Sequence, residues 1–343
     1  MRKLSKIKRQ PISLSRSSSI KTSYLNSETT LPLIVQPIIE NLDLVYWLEN
    51  NQQFVEKELF KHGAILFRGF KIDNVVAFEK CSLKICSQLF SENGEHPREN
   101  LSENIYTPVF YPAKKQLLWH NENSFNLRWP MKILFGCLQP ASQGGETTIV
   151  NSRKVFEALD PRIKDKFIQK QVMYVRNYVE DLGRNWQTIF QTTNPSKVND
   201  ICQQSAIAFE WQPNGQLKTR SVRPAVVRHP VTNEISWFNQ AQHWHPACLD
   251  AEDREYLFSL YKQEDLPRNC HYGDGTPIED EIMEAICEVY QQLEVAIPWE
   301  AGDILVLDNI LTAHGRNPYV GTRKLLVAVG DMTSFEEIKL RSS

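Results

Sequence analysis

Six short apolar runs, each closed by Gly, Pro, Asn or a polar turn residue, constrain this chain more than any other feature. They are "MKILFGCLQP" (131–140), "ETTIVNS" (146–152), "SVRPAVVRHP" (221–230), "EISWFNQ" (234–240), "DILVLDN" (303–309) and "RKLLVAVGD" (323–331). β-Branched and aromatic side chains fill them, and none is long enough to be an independent helix, so they read as strands. Strands need partners along both edges, and runs that recur with turn signals between them predict an antiparallel barrel or sandwich. Helical patterns at about 153–169, 250–264 and 277–294 pack outside it. The expected fold class is mainly β with outer helices, built on a two-sheet jelly roll, the double-stranded β-helix.

The amino-terminal part is of mixed character. "LPLIVQP" (31–37) opens the ordered region, a helical pattern runs from Leu42 to Lys61, "GAILFRGF" (63–70) reads as a buried strand between glycines, and Val75 to Phe90 is helical again. The first 21 residues differ: seven basic side chains, no acid, and four serines between positions 14 and 19. They lack the apolar block of a secretory signal, so residues 1–29 are expected to form a flexible basic arm, with an organelle transit peptide as the alternative. Residues 30–343 are expected to form one domain.

Charge and cysteine usage narrow the function. A formal net charge of -2 gives no whole-chain field for a polyanion. No apolar stretch has the length of a membrane span. Neither nucleic acid nor a membrane is the expected partner. The seven cysteines (Cys81, Cys86, Cys137, Cys202, Cys248, Cys270, Cys287) are odd in number and never form a C-x-x-C pair, which suits a reducing cytoplasm.

The chemistry concentrates in "LLWHNENSF" (117–125). On an extended segment positions i and i+2 share a side, so His120 and Glu122 offer an imidazole and a carboxylate to one ion. A second histidine would complete a 2-His-1-carboxylate facial triad, the ligand set of non-haem Fe(II) oxygenases. Of the eight histidines, His314 stands out, because "GDILVLDNILTAHGR" places it in a loop after an apolar strand and just before a second strand with a cationic start. His243 and His245 also show i, i+2 spacing, but no acid lies beside them. H-E-x-x-H, the helical motif common in zinc hydrolases, is absent. A jelly-roll binding module without catalysis remains as the alternative from another class.

"HNEN", "WPMKILFGCLQPASQGGETTIVNSRKVFEAL", "RSVRPAVVRHPVTNEISWFNQAQHWHP", "DLPRNCHYGDGTPIE" and "GDILVLDNILTAHGRNPYVGTRKLLVAVGD" together resemble the taurine dioxygenase and clavaminate synthase superfamily of Fe(II)/2-oxoglutarate oxygenases, in the branch associated with nonribosomal peptide biosynthesis. The likeness spans residues 30 to 333. It implies an iron held by His120, Glu122 and His314 as the catalytic centre, with 2-oxoglutarate and O2 as cosubstrates. It implies that Arg323 pairs with the far carboxylate of 2-oxoglutarate, which a planar guanidinium suits, and that Thr147, in Gly144-Gly145-Glu146-Thr147, contacts the same cosubstrate. Arg316 is expected to be structural. Glu122 argues against halogenation, because related halogenases replace this carboxylate with a small residue.

The implied activity is hydroxylation at an unactivated C–H bond of an amino acid, free or bound to a peptidyl carrier protein, in antibiotic-type specialised metabolism. Desaturation or oxidative cyclisation can follow the same hydrogen abstraction. A sulfonate is disfavoured, because the second arginine of the taurine enzyme corresponds here to Val327. For the substrate, Gln116, Arg223 and Asn239 are the expected contacts, with Arg220 weighed beside them. Tyr106 or Phe110 could form an aromatic wall or belong to the core. The spacing assigns no role to Asn121 or Asn123.

Overall fold

The computed structural model describes residues 19–90, 99–178 and 185–342. Its centre is the strand Ile304–Asp308, all five residues of which are buried. A strand covered on both faces reads as an unbroken apolar run, as this one does. It pairs antiparallel with Ala64–Phe67 on one side and Arg128–Gln139 on the other. The full six-stranded sheet runs Ile20–Ser23, Leu33–Pro37, Ala64–Phe67, Ile304–Asp308, Arg128–Gln139, Lys324–Ser334.

Alternation along these strands builds two cores. Ile65, Phe67, Ile304 and Val306 face a layer of helices, Leu44–Asn50, Gln52–His62 and Val75–Ile85. Leu66, Leu305, Ile133 and Val329 point the other way, toward Ile149 and Ile297 of a second sheet. Each large aliphatic side chain removed from water in this way contributes about 1.5–3 kcal/mol. The second sheet is four-stranded and antiparallel, in the order Val295–Ile297, Thr147–Asn151, Thr312–Arg316, Leu117–His120. The two sheets face each other as a jelly roll. A further four-stranded sheet (Arg268–Tyr272, Val172–Tyr178, Leu217–Arg223, Ala208–Trp211) and the helix Asp280–Leu293 complete the far side.

Several expected boundaries move. The helical pattern of 42–61 is two helices, because Asn51 closes the first through its N–H to Leu48 O and opens the second. The pattern of 75–90 ends at Ile85, and His314 lies in a strand rather than a loop. Of the expected arm, residues 1–18 lie outside the described residues. Within its remaining part Ile20–Ser23 pairs with Leu33–Pro37, so the ordered domain starts before residue 30. No helix among the described residues is long and apolar enough to cross a membrane.

Candidate active site

Trp119 fixes the first ligand strand. Its indole is buried, stacks on Tyr290 at 5.4 Å with the rings 6° from parallel, and donates to Glu294 Oε2 at 2.6 Å. With Trp119 anchored on the outer side, alternation turns His120 inward. Across the ladder its direct partner is His314 of Thr312–Arg316.

The strand stops at His120, so Glu122 is not placed by strand geometry. Two asparagines place it instead. Asn309 Oδ1 accepts from Glu122 N–H at 2.7 Å, and Asn309 Nδ2 donates to Glu122 O at 3.0 Å and to Pro130 O at 2.8 Å. Asn121 Nδ2 donates to Asn309 O at 2.6 Å and to Ser152 Oγ at 3.2 Å. Asn123 adopts φ +57°, a left-handed turn that asparagine tolerates better than most residues, and its carbonyl accepts from Asn126 N–H. The two asparagines that spacing left without a role are thus the ones that bend the chain after His120.

The outcome is a cluster. Glu122 Oε2 lies 3.6 Å from His120 Nε2 and 3.7 Å from His314 Nε2, and the ligand atoms of the three residues fall within 4.8 Å of one another. Atoms that share an ion at about 2.1 Å stand roughly 3–4 Å apart, so these side chains fit a metal with little movement. A carbonyl can only accept, so His120 Nδ1, 3.0 Å from Leu118 O, carries the proton and leaves the Nε2 lone pair facing Glu122. Among the described residues this is the one such group of His, Cys, Asp or Glu. Two imidazole nitrogens and one carboxylate oxygen are the donor set of a non-haem Fe(II) site.

The cluster opens into a cavity of about 1090 Å³ that is also lined by Thr147 and Arg323. Arg323 Nε donates to Gly145 O at 3.0 Å and its Nη2 lies 3.4 Å from Thr147 Oγ1, which also accepts from Trp299 Nε1 at 3.1 Å. Gly145 has φ +77°, and a Cβ on it would sit 3.2 Å from Arg323 Cδ, so the glycine makes room for the guanidinium. Burial and the nearby Arg316 guanidinium bring the Arg323 pKa down to about 10, which leaves a cation short of compensation inside the cavity. Arg316 itself lines the cavity, is held by the carbonyls of Tyr111, Pro112 and Lys115 and lies over the Tyr111 and Tyr319 rings.

None of the expected substrate contacts lines the cavity. Gln116 is exposed. Arg223 is buried and donates to the carbonyls of Ser205, Ala206 and Val222. Asn239 donates to Ala225 O and accepts from Ala241 N–H. Arg220 pairs with Glu210 on the neighbouring strand. Tyr106 is core, its hydroxyl donating to Phe90 O, whereas Phe110 is 82% exposed at the cavity wall. The side chains that do line the cavity beside the cluster include Asn123, Phe125, Gln240, His243 and Arg268. His243 packs its ring 4.6 Å from that of His120 and donates through Nε2 to Leu118 O at 2.7 Å, so it shapes the site without joining the ligand set. Its i, i+2 spacing with His245 was the sequence signal for it; His245 is spent on Ile278 O and Ala247 N.

A family profile described as "Taurine catabolism dioxygenase TauD, TfdA family" matches residues 29–329. The chain is 36% identical over 278 residues to the dapdiamide synthesis protein DdaC of Enterobacter agglomerans, covering 81% of this chain and 84% of that one. It is 27% identical over 315 residues to a clavaminate synthase-like protein of Arabidopsis thaliana, covering 88% of each. Two solved structures share the fold. PvcB, described as an Fe, alpha-ketoglutarate dependent oxygenase from an isonitrile synthetic pathway, aligns with a TM-score of 0.54 at 15% identity over 94% of each chain. AAD-2, solved with Mn(II) and N-oxalylglycine, aligns with a TM-score of 0.56 at 16% identity over 92% of this chain and 98% of its own.

Proposed function

The chain belongs to the TauD, TfdA family of dioxygenases, and from that premise we propose that it uses Fe(II) and 2-oxoglutarate to hydroxylate an unactivated C–H bond of an amino acid, free or loaded on a carrier protein, in the synthesis of a specialised metabolite. The observation that carries this reading is the common cavity of His120, Glu122, His314, Thr147 and Arg323. His120, Glu122 and His314 would hold the iron. Arg323, steadied by Gly145 O and Thr147 Oγ1, would take the distal carboxylate of the cosubstrate. With iron and 2-oxoglutarate bound, dioxygen would be the oxidant: the cosubstrate would give up two electrons and leave as succinate, with one oxygen atom, and carbon dioxide, and the C–H bond would give up the other two and take the second oxygen atom.

The rest of the chain keeps that chemistry dry and aimed. Ile133, Phe135, Leu325 and Val327 form an apolar wall, and the Phe135 ring sits 5.2 Å from that of His314. An apolar wall limits water at the ligands and strengthens each charge contact there. Val327 offers no cation to a sulfonate, and the relative named for dapdiamide synthesis supports a place in a biosynthetic pathway. The seven free cysteines support a reducing compartment, the cytoplasm.

The test is a screen of free and carrier-bound amino acids with Fe(II), ascorbate and 2-oxoglutarate, followed by mass spectrometry and succinate assay. A product heavier by one oxygen, with succinate formed alongside it, is the expected result. A product lighter by two hydrogens would replace hydroxylation with desaturation or ring closure. Tight zinc binding without any 2-oxoglutarate binding would overturn the oxygenase reading.

A further inference from the structure

We propose that Asn309 is a positioning residue for the metal centre, its carboxamide setting the carboxylate ligand Glu122 in place before any metal arrives. The inference rests on His120, Glu122 and His314 being a metal site. Both imidazole ligands stand on paired strands, but the carboxylate ligand does not, since its strand ends at His120. A backbone segment that leaves a ladder must find other partners for its N–H and C=O groups. Glu122 finds both on one side chain, donating to Asn309 Oδ1 at 2.7 Å and accepting from Asn309 Nδ2 at 3.0 Å. The carboxamide thus stands in for the missing strand neighbour.

Only a carboxamide suits the position. One side of Asn309 faces an N–H donor and the other faces two carbonyls, those of Glu122 and Pro130, so it must offer an acceptor and donors at once. An aspartate would set an oxygen against the two carbonyls, and an alanine would leave all three groups bare. Asn309 is fully buried and is itself rigidly held. Its N–H donates to Met131 O. Asp308, just before it, accepts from Ile310 N–H and Leu311 N–H and from His229 Nε2, each at 3.0 Å. His229 Nδ1 accepts from Val231 and Thr232 N–H, which fixes the proton on Nε2. The same turn leads directly into Thr312–Arg316, so one short segment carries His314 and grips Glu122.

The probe is Co(II), titrated anaerobically into the full chain by calorimetry, with the visible cobalt band as a second readout and metal-free melting as the measure of folding. Removing a group that orients a ligand typically weakens metal binding about 10–100-fold, and that loss is expected for Asn309→Ala and Asn309→Asp. Asp331→Asn, which removes hydrogen bonds to Ser87 and Lys132 away from the cluster, is expected to lose stability but keep its Co(II) affinity within a few-fold. A folded Asn309 variant that binds Co(II) as the parent does would overturn the proposal. A second measurement needs no variant: native-state hydrogen exchange on the metal-free protein. The Glu122 amide is expected to be protected there, and exchange at the rate of an open loop would also overturn it. A parent protein that binds no Co(II) would instead refute the metal-centre reading itself.

Discussion

His120 and His314 face each other as direct cross-strand partners, their ring centroids 4.3 Å apart, and Glu122 Oε2 lies within 3.7 Å of Nε2 of both. A ladder that closes the jelly roll therefore also brings the two imidazoles together. Metal binding should stabilise the fold through this junction, by about 2.7 kcal/mol at a metal concentration a hundred times Kd. Adding Mn(II) should raise the melting temperature of the parent protein and leave that of His314→Ala unchanged, as read by differential scanning fluorimetry.

Arg323 is expected to set cosubstrate affinity without touching the metal. A hydrogen bond to a charged group is worth about 1.5–3 kcal/mol, so Arg323→Met should weaken 2-oxoglutarate about 10- to 150-fold in a calorimetric titration. Co(II) affinity should stay the same. Arg323→Lys should recover only part of the loss, because an ammonium cannot reproduce the planar fork.

Gly315 follows His314 in the middle of the second sheet. A Cβ there would lie 2.6 Å from Leu117 O on the strand that carries His120 and 2.8 Å from Thr148 Oγ1 on the strand along the other edge. Gly315→Ala should push them apart, costing about 1–3 kcal/mol of stability in urea unfolding and weakening Co(II) binding with it.

Asp331 ties the last strand to the segment after the third helix. Burial alone would raise its pKa, but the Ser87 hydroxyl, Lys132 and the Gln88 N–H outweigh it and hold the carboxyl below its usual range. A depressed pKa means that the unfolded chain binds the proton first. The contribution is then complete above the unfolded value, about 3.9, and is lost as pH falls through the lower folded value. Asp331→Asn should cost about 1–3 kcal/mol at pH 7, and the gap from the parent protein should close as urea unfolding is repeated at falling pH below 4.

The jelly roll was legible in the sequence because its central strands carry their own signal. Ile304–Asp308 follows the Gly302-Asp303 turn and is buried on both faces, and Arg128–Gln139 and Lys324–Ser334 carry long, mostly buried apolar runs. His120, Glu122 and His314 were legible as residue types at telling positions, though for a reason that needed amending. Glu122 comes to His120 through a turn held by Asn309, not by strand alternation. A carboxamide that grips a backbone far away in the chain leaves no local pattern to read. The substrate contacts were hard to read for a similar reason: Arg223 and Asn239 look like pocket residues in their apolar runs, yet their donors close a helix end and a turn inside the fold. Gln240 and His243 reach the cavity only because the helix Ala241–Trp244 packs beside Leu117–His120.

An oxygenase site here requires one metal and one cosubstrate to meet at this cavity. Anaerobic calorimetric titration of 2-oxoglutarate into the Fe(II)-loaded chain tests that directly. One molecule is expected to bind per chain, with binding lost in His314→Ala and strongly weakened in Arg323→Met. No binding to the iron-loaded parent protein, or equal binding to the His314→Ala variant, would contradict it.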